Sequence, residues 1–140
     1  MNTIDRIRFL ADLDRYMSLL DRLGSEPSVG QPYGAHTNLP NVWFVDSASG
    51  NANNNGRRPN RAVTTIDAAV GLCSANNGDI IVCLPGHTET VTAANGLDLD
   101  VAGITVIGIG EGADRPTVNF TTAVTASMRI NAAGVSLENI

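Results

Sequence analysis

Short apolar runs alternate with turn-forming residues over most of the chain, from Asn41 to Ile140. The runs are rich in Val, Ile and Thr, and Gly, Asn or Pro residues lie between them. Residues of this kind fit a pleated surface, and short runs bounded by turn formers are typical of strands. We therefore predict strands at residues 42–45, 80–84, 88–91, 97–99, 104–107, 117–120, 128–130 and 135–137.

The spacing of the runs suggests how the strands are arranged. Residues 103–106 (Gly-Ile-Thr-Val) and 134–137 (Gly-Val-Ser-Leu) share one pattern, and the run at Ile80 precedes Ile104 by a similar but shorter interval. Three short strands in each such interval predict a parallel β-helix, in which Ile104 and Val106 stack on Val135 and Leu137. The alternative is an antiparallel β-sandwich, which fits the strand lengths but gives no reason for the unequal spacing.

The N-terminal part of the chain, before Asn41, has a different character. Residues 3–23 are predicted to form a helix that Asn2 caps and Gly24 ends, with four arginines balanced by four aspartates. One face of this anchor helix (residues 1–23) is an apolar stripe that needs a partner, either its own β-domain or another chain. The stripe consists of Ile7, Leu10, Leu13, Met17, Leu20 and Leu23.

Residues 24–40 have no apolar periodicity and contain Pro27, Pro32 and Pro40 together with three glycines. This composition predicts an extended arm that can reach several tens of ångströms, at about 3.3 Å per residue. The chain therefore divides into an anchor helix (1–23), an arm (24–40) and a β-domain (41–140). A helix on a long arm ahead of a rigid domain is a way to join a larger assembly.

Composition limits the function classes. With 140 residues, 43% hydrophobic and 16% charged, one soluble core-bearing domain is expected. The net charge of -5 disfavours a nucleic-acid partner, because phosphate binding requires a basic face. The apolar runs are much shorter than a membrane span, so we expect no membrane association and no signal peptide. Cys73 and Cys83 stand at apolar positions and are predicted to be small buried hydrophobes rather than a disulfide.

An ordered set of segments in the β-domain carries a family resemblance. The segments are 42–46 (VWFVD), the Asn- and Gly-rich loop 47–60, 64–70 (TTIDAAV), 78–82 (GDIIV), 85–91 (PGHTETV) and 104–108 (ITVIG). Their order resembles the start of right-handed parallel β-helix proteins of the pectin-lyase-like class, in particular those of bacteriophage virions. The resemblance covers about the last two-thirds of the chain.

The resemblance implies a short capping helix over the first turn of the coil. The segment that follows the Asn- and Gly-rich loop has the apolar stripe that such a helix needs, and Asp67 is predicted to cap its start. The stripe consists of Ile66, Ala69, Val70 and Cys73.

The pectin-lyase-like class includes polysaccharide lyases and hydrolases as well as inert fibres, so the function must be argued from individual residues. Glycoside cleavage needs two carboxylates that face one cleft. Asp98 and Asp100 are the best acidic pair in the sequence, and Arg129 is the only arginine in a predicted strand of the repeats. We expect the acidic residues to face solvent rather than to act as catalysts. His87 follows a Pro-Gly corner and is predicted to be a surface residue rather than a catalyst.

Two further segments resemble functional motifs. Residues 108–112 (Gly-Ile-Gly-Glu-Gly) resemble a phosphate loop, but no helix is expected after them and we predict a glycine turn. The basic loop with Arg57, Arg58 and Arg61 is predicted to be a solvated face or a protein contact.

The resemblance implies a structural protein of a phage particle, of the capsid decoration, fibre or spike type. We expect no enzymatic activity, catalytic residue, cofactor or metal. Expected partners are other virion proteins (capsid, portal or tail) and further copies of the chain, with assembly in the host cytoplasm. The alternative is a carbohydrate-binding or carbohydrate-cleaving tailspike, whose partner is surface carbohydrate. We also expect the β-helix to be incomplete at Ile140, so that more chain or another subunit covers that edge.

Overall fold

The computed structural model describes residues 40–121 and 123–140, so the predicted helix and most of the arm lie outside the described residues. The described residues are mainly β, with few helical segments. The strands are β1 (Val42–Val45), β2 (Ile80–Cys83), β3 (Thr88–Thr90), β4 (Leu97–Leu99), β5 (Thr105–Gly108), β6 (Thr117–Asn119), β7 (Met128–Ile130) and β8 (Ser136–Glu138). The helical segments are α1 (Ile66–Val70) and two short 3-10 helices, Pro59–Arg61 and Gly112–Asp114. The strand predictions are confirmed to within one residue at each end.

The strands form three parallel sheets in the described part of the chain. The order is β1-β2-β5-β8 in the largest sheet, and β3-β6 and β4-β7 form two smaller ones. Each of these neighbouring pairs is parallel. The antiparallel β-sandwich is therefore wrong for these strands.

The register confirms one predicted alignment and corrects the other. Thr105 pairs with Ser136, as the pattern shared by residues 103–106 and 134–137 predicted. Ile80, however, pairs with Thr105 rather than with Ile104. Neighbouring side chains on a strand point to opposite faces of the sheet. A one-residue difference in register therefore moves each side chain of β2 to the face opposite the expected one. Ile81, not Ile80, lies in the main core beside Val106.

Turns with positive φ explain the glycine in the repeated pattern. Asn76, Gly103 and Gly134 all have φ between 59° and 75° and precede β2, β5 and β8, respectively, in the largest sheet. Their turns are joined by hydrogen bonds, because the Asn76 N–H donates to the Ala102 carbonyl and the Gly103 N–H to the Ala133 carbonyl. Glycine adopts this left-handed conformation without steric cost, and Asn tolerates it better than most residues.

Two apolar clusters lie on opposite faces of the largest sheet. The main core contains Val45, Ile81, Cys83 and Val106 together with Leu97 and Leu99 of β4. The second cluster contains the alternate residues Phe44 and Val82 together with Ala62 and Leu84. The sheet is therefore apolar on both faces, which is usual for parallel sheets.

The free edge of β1 is covered by the loop that follows it. Phe44 exchanges backbone hydrogen bonds with this loop, donating to the Gly56 carbonyl (2.7 Å) and accepting from the Val63 N–H (2.9 Å). Gly50 allows the close approach, because a Cβ at this position would lie 2.2 Å from the Asp46 carbonyl oxygen. Covering an edge in this way prevents unwanted strand pairing.

Helix α1 packs against the main core, as predicted. Ile66, Ala69 and Val70 are buried, and Cys73 is partly buried against the same cluster. The helix begins at a Thr65 cap, whose side-chain oxygen accepts from the Ala68 N–H at 3.2 Å. It lies against β1, β2 and β4.

Candidate functional site

Three buried polar side chains of the described residues lie at strand ends: Asp46 after β1, Asp79 before β2 and His87 before β3. Asp46, Asp79 and His87 are at most 1% exposed. The prediction of His87 as a surface residue is therefore wrong. The Pro-Gly corner is visible in the sequence. The inward orientation of the His87 side chain, however, depends on contacts with the loop after β1, and no local sequence pattern reveals those contacts.

His87 joins the start of the 47–63 loop to β3. The Ser47 backbone N–H donates to His87 Nδ1 at 3.0 Å, and His87 Nε2 lies 3.1 Å from Glu89 Oε2. Because Nδ1 accepts, the neutral ring carries its proton on Nε2 and donates to the Glu89 carboxylate. The same Glu89 oxygen accepts from the Ile66 N–H at 2.8 Å. This network connects the loop, the corner, β3 and the first turn of α1.

Ser47, His87 and Glu89 have the composition of a hydrolytic triad but a different geometry. A triad histidine uses one ring nitrogen to take the serine proton and the other to donate to the acid. Here the nitrogen opposite Glu89 accepts from the Ser47 main chain, and the Ser47 hydroxyl oxygen accepts from the Thr88 N–H at 2.9 Å. The arrangement therefore stabilises a loop in place of activating a nucleophile.

Asp46 has a similar local role at the end of β1. One carboxylate oxygen accepts from the Ala48 N–H at 2.9 Å, and the other accepts from the Ser49 hydroxyl. These bonds hold the sharp turn that leads into the covering loop. The sequence contained a signal for this role, since an Asp followed by Ser-Ala-Ser is a typical turn former.

Asp79 accepts hydrogen bonds from three residues in the described part of the chain. Its Oδ1 accepts from the Asn41 N–H (2.9 Å), Asn41 Nδ2 (3.1 Å) and Asn77 Nδ2 (2.6 Å), and its Oδ2 accepts from the Ser74 N–H (2.7 Å). Burial alone raises the pKa of Asp79, but these hydrogen bonds together lower it below the ordinary value of 3.8. The carboxylate therefore stays ionised and ties the entry to β1 to the entry to β2.

The predicted acidic pair is divided between two environments. Asp98 is half-buried, and Arg129 lies beside it on β7, in register, with Nε 3.2 Å from Oδ1 and a second contact to Oδ2. This hydrogen bonding raises the pKa of Arg129. The Asp98 N–H also donates to Asp67 Oδ1 at 3.1 Å, whereas Asp100 is exposed at the end of β4. The expectation of solvent-facing residues is confirmed for Asp100, and Asp98 faces outward between the buried Leu97 and Leu99, where it forms an ion pair with Arg129.

The two other motif-like segments have structural roles. Residues 108–112 form a turn with positive φ at Gly110 (128°) and Gly112 (56°), followed only by a three-residue 3-10 helix. In the basic loop, Arg57 donates to Asn41 Oδ1 at 2.7 Å, and its guanidinium lies 4.7 Å from the centre of the Trp43 ring. The prediction of a glycine turn is confirmed, and Arg57 makes a contact within the protein.

Both cysteines are free thiols. Burial raises the pKa of Cys73 and of Cys83 to about 12, with a smaller contribution from Asp79 and Glu89 respectively. A thiol with such a pKa is a poor nucleophile and a poor metal ligand. Within residues 40–121 and 123–140, no group of three His, Cys, Asp or Glu side chains is placed to hold a metal ion. Across the same residues, no helix has the length and apolar character needed to cross a membrane.

A cavity of about 670 Å³ with a mixed polar and apolar lining lies beside β6, β7 and β8. Leu97, Leu99, Val106, Val118 and Leu137 line it, and Phe120, Met128 and Ile130 are 38–54% exposed nearby. Two of its polar lining residues bond to backbone carbonyls: Arg115 donates to Ile140, and Asn139 Nδ2 donates to Gly108 and Gly110. These hydrogen bonds connect the turn at Gly108 and Gly110 to β8 and join Arg115 to Ile140.

Comparisons of the chain with protein-family models, curated proteins and solved structures gave no match. The function must therefore be argued from the residues themselves. The predicted anchor stripe (Ile7, Leu10, Leu13, Met17, Leu20 and Leu23) lies outside the described residues and stays a prediction.

Proposed function

We propose that the chain is a non-enzymatic structural protein of a bacteriophage particle. Residues 41–140 wind as a right-handed parallel β-helix that α1 caps, and the N-terminal helix and arm attach this rigid body to neighbouring virion subunits. The partners are capsid, portal or tail proteins and further copies of the same chain. The protein resides in the virion after assembly in the host cytoplasm.

The observation that carries the proposal is the order in which the chain visits its sheets. β2, β3 and β4 belong to three different sheets, and β5, β6 and β7 return to the same three in the same order. Because each strand pairs in parallel with the strand of the preceding repeat in the same sheet, the order supports a chain that coils continuously in one direction. Crossover connections between parallel strands of one sheet are almost always right-handed. The order of the quoted sequence segments supports the same assignment.

The use of the ionisable side chains supports a structural role. Asp46, Asp79, His87 and Glu89 all bond to backbone N–H groups, and Asp98 is paired with Arg129. A catalyst needs groups that face substrate and are free to exchange protons. Buried groups that hydrogen-bond to the backbone of loops and corners stabilise the fold instead.

Particle incorporation tests the proposal. Deleting residues 1–40 leaves the strands from Val42 onward, so we expect a folded β-domain that no longer enters particles. The full chain with both Leu13→Asp and Met17→Asp should lose incorporation as well, whereas Arg15→Ala, on the opposite face of the predicted helix, should retain it. The measurement is copy number per purified particle by quantitative mass spectrometry. Wild-type occupancy of the truncated protein would show that the anchor assignment is wrong.

The carbohydrate alternative has its own readout. A tailspike would bind or shorten host surface polysaccharide, and Asp98 and Asp100 would be its best acids. Polysaccharide incubated with the purified protein should keep its chain length if the structural assignment is correct. Cleavage that Asp98→Asn and Asp100→Asn abolish would establish the alternative.

A further inference from the structure

Three asparagines in the described part of the chain are followed directly by glycine. They are Asn55, Asn77 and Asn95. In such a pair the main-chain nitrogen of the glycine attacks the carbonyl carbon of the asparagine side chain, because glycine has no Cβ to hinder the approach. The new C–N bond closes a succinimide ring, and the side-chain nitrogen leaves as ammonia.

Water completes this deamidation. It adds to one of the two ring carbonyls and breaks the C–N bond at that carbonyl, which gives either aspartate or isoaspartate. In isoaspartate the main chain runs through Cβ and is longer by one atom. Both products carry a carboxylate where the asparagine carried a neutral amide. Since water is the only co-reactant, the structure around each Asn-Gly pair decides whether the pair reacts.

The reaction requires freedom at two places. The asparagine side chain must turn until its carbonyl carbon meets the glycine nitrogen, so a hydrogen bond to that side chain opposes the reaction. The glycine nitrogen must lose its proton to solvent base, so burial of its N–H group opposes the reaction as well. The charged product also needs access to water, because an unpaired carboxylate is costly to bury.

Asn55 is protected at both places. Its side-chain Oδ1 accepts a hydrogen bond from the Arg57 N–H at 3.2 Å. Gly56, which would supply the attacking nitrogen, is buried, and its N–H donates to the Arg61 carbonyl at 2.9 Å. The nitrogen is therefore kept from solvent base by the loop that covers β1.

Asn77 is protected through its side chain. Asn77 Nδ2 donates to Asp79 Oδ1 at 2.6 Å, which holds the amide in place. Asp79 is buried, and its hydrogen bonds keep its pKa below the ordinary value, so it is ionised. A carboxylate at position 77 would bring a second negative charge to the site of this hydrogen bond, where like charges repel. The fold therefore opposes both the movement of the amide and the product.

Asn95 has the freedom that the other two lack. Asn95 and Gly96 are both exposed, in the turn between β3 and β4. Within the part of the chain that the structure describes, no residue hydrogen-bonds to the Asn95 side chain. The Gly96 N–H donates to the Ala93 carbonyl at 3.1 Å, but this bond lies in an exposed turn, where local opening costs little.

We propose that Asn95 is a site of spontaneous deamidation in the folded protein, whereas the fold protects Asn55 and Asn77. This inference goes beyond the proposed function, because it concerns a covalent change of the chain itself and needs no partner.

The modification alters a contact between two neighbouring turns. The Asn95 N–H donates to Ser127 Oγ at 2.8 Å, and the Ser127 N–H donates to the Ala93 carbonyl at 3.2 Å. These two bonds join the turn before β4 to the turn before β7. The additional main-chain atom of isoaspartate enters the turn that the hydrogen bond between Gly96 and Ala93 closes. The turn then loses its geometry, and its contact with Ser127 is loosened.

Peptide mapping of the folded full-length protein tests the assignment. After incubation in mildly alkaline buffer, mass spectrometry with fragmentation measures the aspartate and isoaspartate formed at each of the three positions. Asn95 should convert at least tenfold faster than Asn55 or Asn77. In concentrated urea, where the fold is lost, the three positions should convert at similar rates, because each is followed by glycine.

Every other result contradicts the assignment. Equal conversion of the three asparagines in the folded protein, or faster conversion of Asn55 or Asn77, would show that exposure and side-chain freedom do not select the site. Conversion of Asn95 in urea but not in the folded protein would show that its turn is protective. The same preference for Asn95 in urea would assign the effect to the local sequence and not to the fold.

Amide hydrogen exchange tests the consequence. The Ser127 N–H should exchange several-fold faster in protein that contains isoaspartate at position 95 than in fresh protein. The matched control is Asn95→Gly, which accepts the left-handed φ of 52° and has no amide to lose. Its Ser127 exchange should be the same before and after incubation. Unchanged exchange in the isoaspartate form, or an equal increase in the control, would refute the loosening of this contact.

Discussion

Asp79 is a single buried side chain on which two strand entries depend. Its carboxylate accepts hydrogen bonds from Asn41, Ser74 and Asn77, and its pKa is lowered below 3.8. A carboxyl group whose pKa is lowered by folding stabilises the protein above its unfolded pKa. That contribution is lost as the pH falls through the lowered folded value.

Replacing Asp79 with Asn should therefore destabilise the protein in a pH-dependent way. The amide removes the charge and turns a donor toward a site occupied by donors, so we expect a cost of about 1–3 kcal/mol near pH 7. Urea unfolding should show the difference from wild type shrinking as the pH falls below 3.8. Asp100→Asn, at an exposed position, is the matched control and should change stability little. A pH-independent difference would contradict the assigned role of the charge.

Residues such as Asp79 and His87 mark the limit of prediction at this scale. The alternation of apolar residues identified the strands, and the Gly-apolar-hydroxyl-apolar pattern identified one register. A buried polar residue, by contrast, is chosen by partners distant in sequence, such as Asn41 for Asp79 or Ser47 for His87. Neither partner stands at a spacing that a local periodicity could reveal.

Helix α1 shows how an element can be predicted correctly while its details are not. The stripe of Ile66, Ala69 and Val70 predicted a cap for the core, and all three residues are buried. The role of Asp67 as the N-terminal cap was wrong, because Thr65 caps the helix and Asp67 accepts from the Asp98 N–H. The segment of residues 64–67 (TTID) offered several cap candidates, and tertiary contact with β4 separated their roles.

Two substitutions in α1 should differ sharply in their effect. Val70→Asp places an unpaired carboxylate in the main core, which should cost several kcal/mol of a total stability of about 5–15 kcal/mol. Asp67→Ala removes only one hydrogen bond from an exposed position, with an expected cost of about 1 kcal/mol. Thermal unfolding monitored by circular dichroism compares them. Equal Tm values would mean that α1 covers nothing.

The whole molecule has a gradient of burial from β2 to β8. Ile81 and Val106 are fully buried at equivalent positions of neighbouring strands, whereas Leu137, next in the same row, is only partly buried. When each strand contacts only its neighbours in a row, local stability depends on how well both sides are covered. The largest sheet should therefore open more readily at β8 than at β2.

Amide hydrogen exchange in the full-length protein can measure this gradient with a matched pair. The Thr105 N–H donates to the Asp79 carbonyl and the Ser136 N–H donates to the Ile104 carbonyl, both at 3.0 Å and in register with each other. Since the two hydrogen bonds have the same length, a difference between their amide exchange rates reports how differently β5 and β8 are buried by neighbouring strands. We expect Thr105 to exchange at least tenfold more slowly than Ser136, because opening β5 also exposes Val106. Equal rates for the two amides would mean that the sheet opens only as one cooperative unit, and the row would then have no weaker end.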